Sequence, residues 1–328
     1  MCTSIFYKNK QLDYFLARTM DFSLPLDGKP IFIPKDYNFY QNYPDRSFKT
    51  AYSFIGAGCH ASEYLFADGL NEHGLGVASL YFSNYASYVN EKEEGKVGVA
   101  SYDLVTFLLG TCRDVQDVKE KLSCVSLLKE KNNILNVVPP LHWIASDSEG
   151  SCIVIEPVAS GVKIYDNLVG VMTNSPSFPW HLTNLNQYAH LSNTSSKTCK
   201  YQDYVAKENG AGSGALGLPG DYTSISRFIR AAFMNQYIEK VETTDESIYL
   251  TSQLLSSVAI PKGVKIKDNL KDDYTQFISV MDLNNLSYTI NYYENNLFYQ
   301  IDLNKLVKNQ TTPKEFHCSK ESSLTKMN

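Results

Sequence analysis

The chain has 328 residues, 43% of them hydrophobic and 20% charged, and a formal net charge of −5. That is apolar material for a substantial core in one large domain or two, and the acidic balance argues against nucleic acid as a partner. No apolar run approaches the roughly 18 residues that a membrane-spanning helix needs, and no basic segment followed by an apolar one marks a signal peptide at the N-terminus.

The first 21 residues carry the densest signal. Two runs rich in aromatic and β-branched residues flank the polar link Lys8-Asn9-Lys10-Gln11-Leu12, which predicts a β-hairpin. A turn centred on Lys10 sets Cys2 directly opposite Arg18, with Asp21 just beyond the strand end. A cation beside a thiol favours the thiolate, which is the nucleophilic form. Removal of Met1 gives Cys2 a free α-amine with an ordinary pKa of about 7.7–8.0, so nucleophile and general base share one residue. Asp21 is placed to orient that amine. The plain alternative is a frayed terminus whose cysteine has no role.

Further along, Ile31–Ile33, Ala51–Gly58 and Leu75–Phe82 read as strands, with Tyr64–Gly69 leading into a turn at Asn71–Gly74. Helices are predicted over Ser101–Leu109 and Asp114–Leu122, then a meander of strands over His142–Ser146, Cys152–Val158 and Val162–Tyr165. A strand from Val169 stops at Pro176, and Trp180–Tyr188 reads as a short helix. The segment Asn209–Gly220 is a small-residue loop; its Gly212-x-Gly214-x-x-Gly217 has no preceding strand and is rejected as a dinucleotide fingerprint. Thr223 or Ser224 caps the strongest helix, Ser226–Val241, followed by a helix over Thr244–Ser257. Strands at Gln276–Met281, Ser287–Tyr293 and Phe298–Ile301 close the pattern. The order predicts an α+β fold with two sheets between helix layers. No linker interrupts it, so residues 1–328 read as one domain, with roughly 305–328 as a loose polar tail.

No Gly-x-Ser-x-Gly elbow, Walker-type loop or metal-spaced histidine pair occurs. The seven scattered cysteines, odd in number and without CxxC pairs, predict reduced thiols in a cytoplasmic protein and neither a zinc site nor a disulfide framework. Asn174, ending a strand before Pro176, has an amide that can donate to an oxyanion; a turn Asn is the bland alternative. Arg227 sits in the first turn of the strong helix, where the dipole disfavours a cation, which asks for a functional reason.

Met1-Cys2-Thr3, Ala17-Arg18-Thr19-Met20-Asp21, Asn71-Glu72-x-Gly74-Leu75, Thr173-Asn174-Ser175-Pro176 and Leu218-Pro219-Gly220-Asp221-Tyr222-Thr223-Ser224-x-Ser226-Arg227-Phe228 together resemble the choloylglycine hydrolase family. This family comprises conjugated bile salt hydrolases and penicillin V acylases, within the N-terminal nucleophile hydrolases. The resemblance implies an αββα sandwich, commonly a homotetramer, that cleaves a small linear amide without metal or cofactor. It implies Cys2 as nucleophile and amine base, Arg18 and Asp21 as its organisers, Asn174 in the oxyanion hole and Arg227 in support.

One position departs from the bile salt hydrolases. Where they usually carry an active-site Asn, this chain has Tyr81, as the penicillin V acylases do. An aromatic wall suits a phenoxyacetyl group, so the expected activity is of penicillin V acylase type. The alternatives are conjugated bile salt hydrolysis, acylhomoserine lactone cleavage or, in a different class, a non-catalytic binding protein on the same fold. Met20, Phe22, Leu24 and Leu26 are candidates for the acyl pocket, or equally for core.

Overall fold

The runs Ser4–Lys8 and Tyr14–Phe22 pair as an antiparallel hairpin, with Ser4 opposite Arg18. The computed structural model describes residues 2–40, 46–61, 63–132, 136–208, 210–267, 271–295, 297–321 and 327. Met1 and Asn209 lie outside the described residues.

The hairpin register differs from the expected one by two residues. The link closes from Asn9 to Asp13, where Asn9 Oδ1 accepts from Asp13 N at 2.8 Å and Asn9 N donates to Asp13 O at 3.0 Å. This centres the turn on Gln11, so Ser4 replaces Cys2 as the residue opposite Arg18. A shift of two keeps the side-chain parity, and Cys2 and Arg18 still share a face. The strand also runs one residue past Asp21, so that residue lies inside the sheet.

Around the hairpin grows a six-stranded antiparallel sheet in the order Val171–Met172, Ser4–Lys8, Tyr14–Phe22, Tyr274–Asp282, Ser287–Tyr292 and Phe298–Asp302. Tyr274–Asp282, the neighbour of Tyr14–Phe22, is buried along its whole length, as a strand covered on both faces should be. Against this sheet stacks a larger one that contains Lys29–Ile33, Phe54–His60, Asp68–Asn71, Gly76–Tyr81, Leu141–Ser146 and Cys152–Val158. The helices Ser224–Tyr237 and Thr244–Ser256 cover the outer face of the first sheet, and Leu104–Thr111 covers the second. Two apolar clusters follow, one between the sheets and under the first helix pair, the other beneath Leu104–Thr111. The architecture is the expected αββα sandwich.

Three local expectations change. Tyr64–Gly69 does not simply enter a turn: a strand at Asp68–Asn71 carries Asp68 into the core between the sheets. The strongest helix starts at Ser224, with Thr223 as N-cap accepting from Ser226 N, and ends at Tyr237. The C-terminal stretch is not a loose tail as far as it is described. Asp302 caps a helix at Leu303–Asn309, and Lys314–Glu315 adds an edge strand to Lys29–Ile33. Its charge-rich composition masks these short elements.

Among the described residues no helix is long and apolar enough to cross a membrane. All seven cysteines are unpaired.

The turn before Gly76–Tyr81 depends on Gly74, whose φ is +81° and whose hypothetical Cβ falls 2.4 Å from Leu283 O. Gly74→Ala should cost about 1–3 kcal/mol of stability through strain and that clash. Urea unfolding of the two proteins measures this, and equal midpoints would contradict the assignment.

Candidate active site

Cys2 sits at the head of the first strand, 5% exposed, between two guanidinium groups that are wholly buried. Arg18 Nη2 lies 2.9 Å from Cys2 Sγ and also donates to Ser79 O at 3.2 Å. Its Nη1 donates to Asp68 Oδ2 at 3.2 Å, and its Nε to Thr19 O at 3.0 Å. Burial pulls the Arg18 pKa down, but the charges of Cys2, Asp68 and Asp21 outweigh it, and the net shift is upward. Asp68 is in turn held by Tyr288 Oη at 2.6 Å, Ser279 Oγ at 3.0 Å and Ala57 N at 3.2 Å.

Arg227 grips the other side. Nη1 donates to Cys2 O at 2.7 Å and to Thr3 Oγ1 at 2.6 Å, while Nη2 donates to Asn174 Oδ1 at 2.7 Å. Burial lowers its pKa, with Asp21 and Cys2 opposing. A guanidinium starts so high that it stays charged. This explains a cation in the first turn of a helix: its partners are across the interface, outside the helix.

The backbone of Cys2 is held as firmly as its side chain. Its nitrogen donates to Asn174 Oδ1 at 2.9 Å. Asn174 Nδ2 donates to Tyr81 O at 2.8 Å, and Asn174 N to Ser224 Oγ at 2.8 Å. Asp21 Oδ1 accepts from Thr275 Oγ1 at 2.6 Å, and its Oδ2 lies 4.0 Å from Arg227 Nη1. Cys2, Arg18, Asp21, Asn174 and Arg227, which sequence reasoning singled out separately, thus meet at one point.

Tyr81 borders the same point through its backbone. Phe82 N donates to Pro140 O, so in the alternating ladder the N–H and C=O of Tyr81 point away from Leu141–Ser146. The carbonyl meets Asn174, and the N–H faces the same side.

A cleft of about 140 Å³ opens over Cys2, walled by Met20, Phe22, Leu26, Ala57, Phe66 and Tyr81 among others. Three of the four proposed pocket residues are therefore on it. Leu24 is not among its lining residues, and its carbonyl accepts from Gln276 Nε2 at 2.8 Å. The larger hollow of about 790 Å³ beside Phe6, Tyr188 and Phe233 holds none of the candidate residues, and its size alone gives it no chemistry.

Burial pushes the Cys112 and Cys152 thiols up to about 12, which keeps them protonated. Among the described residues no His, Cys, Asp and Glu are grouped to hold a metal.

Sequence reasoning did not single out Asp68, His142, Glu156 or His181. His181 Nε2 lies 2.8 Å from Asn174 O, and His142 Nε2 lies 2.9 Å from Thr173 O. A carbonyl only accepts, so both Nε2 atoms carry protons. His142 Nδ1 is 3.4 Å from Glu156 Oε1, and that oxygen accepts from Phe178 N at 2.8 Å. The available signal was a lone polar residue inside an apolar strand, as in Leu65-Phe66-Ala67-Asp68 and Leu141-His142-Trp143-Ile144.

Residues 2–316 match the family described as linear amide C-N hydrolases, choloylglycine hydrolase family. A bile salt hydrolase/transferase of Clostridium perfringens is 35% identical over 331 residues, covering 100% of both chains. Among solved structures, a variant of conjugated bile acid hydrolase from C. perfringens superposes with a TM-score of 0.91 at 33% identity over 100% of both chains. Penicillin V acylase from Agrobacterium tumefaciens shares the fold, with a TM-score of 0.75 at 21% identity over 96% of this chain and 90% of its own. The fold is that of the N-terminal nucleophile hydrolases. The chain belongs to the choloylglycine hydrolase family, and is a hydrolase of linear amide carbon–nitrogen bonds. The relatives incline toward bile salt hydrolysis, the alternative, and away from the penicillin V acylase expected from Tyr81.

Burial lowers the His181 pKa to about 4, against a smaller upward pull from Asn174 O. Among the described residues its Nδ1 has no hydrogen-bond partner, so a second ring proton would be buried unsatisfied. A depressed native pKa means that the unfolded chain takes up the proton first. Stability is then full above about pH 6.5 and falls between about 6.5 and 4, by of the order of 3 kcal/mol from this group. His181→Gln should flatten that part of the profile. Urea midpoints at pH 7 and pH 4.5 test it; an equal fall in both proteins would contradict the role.

Proposed function

We propose that this protein hydrolyses conjugated bile salts, with Cys2 of the Met1-processed chain as nucleophile and its α-amine as base. The observation that carries the chemistry is the convergence on one residue: Arg18 at Cys2 Sγ, and Asn174 Oδ1 at Cys2 N, at the floor of an apolar cleft. The relatives carry the choice of substrate.

In this reading the amine takes the thiol proton and the sulfur attacks the acyl carbon. The oxyanion is met by the Tyr81 N–H and by the second Nδ2 hydrogen of Asn174, the first being spent on Tyr81 O. The tetrahedral adduct collapses, and the leaving amine departs with the proton. Water then attacks the thioester, gives up a proton to the Cys2 amine and releases the carboxylic acid and the thiol. Arg18 stabilises the thiolate, and Arg227 with Asp21 fixes the Cys2 backbone and amine. Arg18→Ala therefore acts on the reaction through charge at Cys2, and Arg227→Ala through the placement of its backbone.

Tyr81 supports a second reading, hydrolysis of penicillin V. Its ring lies 5.6 Å from that of Phe22, and the two form an aromatic wall beside the nucleophile. By family analogy we also propose a single-domain cytoplasmic homotetramer.

The expected result is a higher kcat/KM for glycocholate or taurocholate than for penicillin V at matched conditions, with no turnover of either by Cys2→Ala. Tyr81→Asn should raise the bile-salt to penicillin V ratio further, since only a difference in transition-state stabilisation changes that ratio. Preference for penicillin V would favour the second reading. Substantial turnover by Cys2→Ala would falsify the nucleophile.

A further inference from the structure

The cleft has apolar walls and, at its floor, two charged side chains that are already committed. Arg18 is spent on Cys2 and Asp68, and Asp21 on Thr275. One further cation, not itself a lining residue, stands against two of the wall's rings. Lys267 Nζ lies 5.0 Å from the centroid of the Phe22 ring and 5.9 Å from that of Tyr81. Both rings line the cleft.

Lys267 is held there by its backbone. Its N–H donates to Lys271 O at 3.0 Å, and a bridge joins Ile266 to Asp272 just outside that pair. The neighbouring carboxylate of Asp273 is engaged by Lys265 Nζ at 2.8 Å, and the charge of Lys267 also acts on it from farther away. Among the described residues no carboxylate lies within ion-pair distance of Lys267 Nζ, whose side chain is half-buried. A half-buried cation on two aromatic faces has part of its hydration replaced by ring contacts, and its ammonium can still turn toward a ligand at the rim.

We propose that Lys267 is a specificity residue of this cleft, whose ammonium recognises the anion on the amine half of a conjugated substrate. The proposal rests on the reading of Cys2 as acyl acceptor. An acyl chain can enter between Met20, Leu26, Ala57 and Phe66 because those walls ask for apolar surface. An anion cannot follow it there without a large desolvation cost. With the acyl group inside and the scissile bond at Cys2, the acidic end of the amine half stays at the rim, beside Phe22 and Tyr81. Lys267 is the cation it meets. Tyr81 links the two ends, since its carbonyl is bound to Asn174 at the nucleophile and its ring carries the lysine.

The test uses two pairs of amides that differ in charge at the amine half: glycocholate against cholylglycinamide, and penicillin V against its methyl ester. The unmodified enzyme should prefer the charged member of each pair it cleaves. Lys267→Gln should lower the charged-to-neutral ratio of kcat/KM about three- to tenfold, chiefly through KM, and leave the neutral substrates nearly unchanged. Lys267→Arg should keep most of the preference, Lys267→Glu should reverse it, and added salt should shrink it. Equal loss on charged and neutral members would make Lys267 a wall residue and overturn the proposal, as would an unchanged ratio. Failure to cleave either cholyl amide would remove the bile-salt reading alone, and the penicillin pair would then decide on Lys267. Cleavage of neither pair would overturn both.

Discussion

The contact between the Arg18 guanidinium and Cys2 Sγ constrains the rest of the structure. A wholly buried cation needs compensation, because removing one partner of a buried pair typically costs about 3–5 kcal/mol. Asp68 supplies the balancing charge, and Tyr288, Ser279 and Ala57 N in turn satisfy Asp68. Those partners come from both sheets, so the two layers are tied together directly behind Cys2. Arg227 repeats the arrangement from the helix side, through Cys2 O, Thr3 and Asn174. The sandwich can thus be viewed as a frame that holds two guanidinium groups in fixed positions around one residue.

The site divides into a polar half and an apolar half. The polar half is over-determined, with nearly every donor and acceptor satisfied by another fixed group. Even the backbone around Asn174 is pinned, since His181 and His142 hold the carbonyls of Asn174 and Thr173. Such rigidity suits chemistry that depends on hydrogen bonds being in place before charge develops. The apolar half is built from side chains with little directional demand, and substrate preference belongs there. Tyr81 is on both halves: its carbonyl meets Asn174 beside Cys2, and its side chain lines the cleft.

Much of this was legible in the sequence. The hairpin, the sandwich, and the meeting of Cys2, Arg18, Asp21, Asn174 and Arg227 all followed from motifs and their order. The hairpin register did not, because a two-residue shift preserves parity and leaves the pattern of apolar residues unchanged. Asp68 was hidden because an acidic residue ahead of a glycine reads as a turn, and its partners Arg18, Ser279 and Tyr288 are distant in sequence. Leu24 looked like its apolar neighbours, yet only the backbone path decides which of them face the cleft. The helix Leu303–Asn309 and the strand Lys314–Glu315 are too short and too charged to stand out. Lys267 carried no signal, since its position matters only through two rings that are distant in sequence.

The central claim is that the acyl group passes through a thioester on Cys2 of a chain freed of Met1. Mass spectrometry of enzyme mixed with a cleavable amide and quenched in acid within the first turnover tests this most directly. The account predicts an added mass equal to the acyl group, located on an N-terminal peptide that begins at Cys2 with a free α-amine. An adduct on any other residue, or full activity in protein that retains Met1, would contradict it.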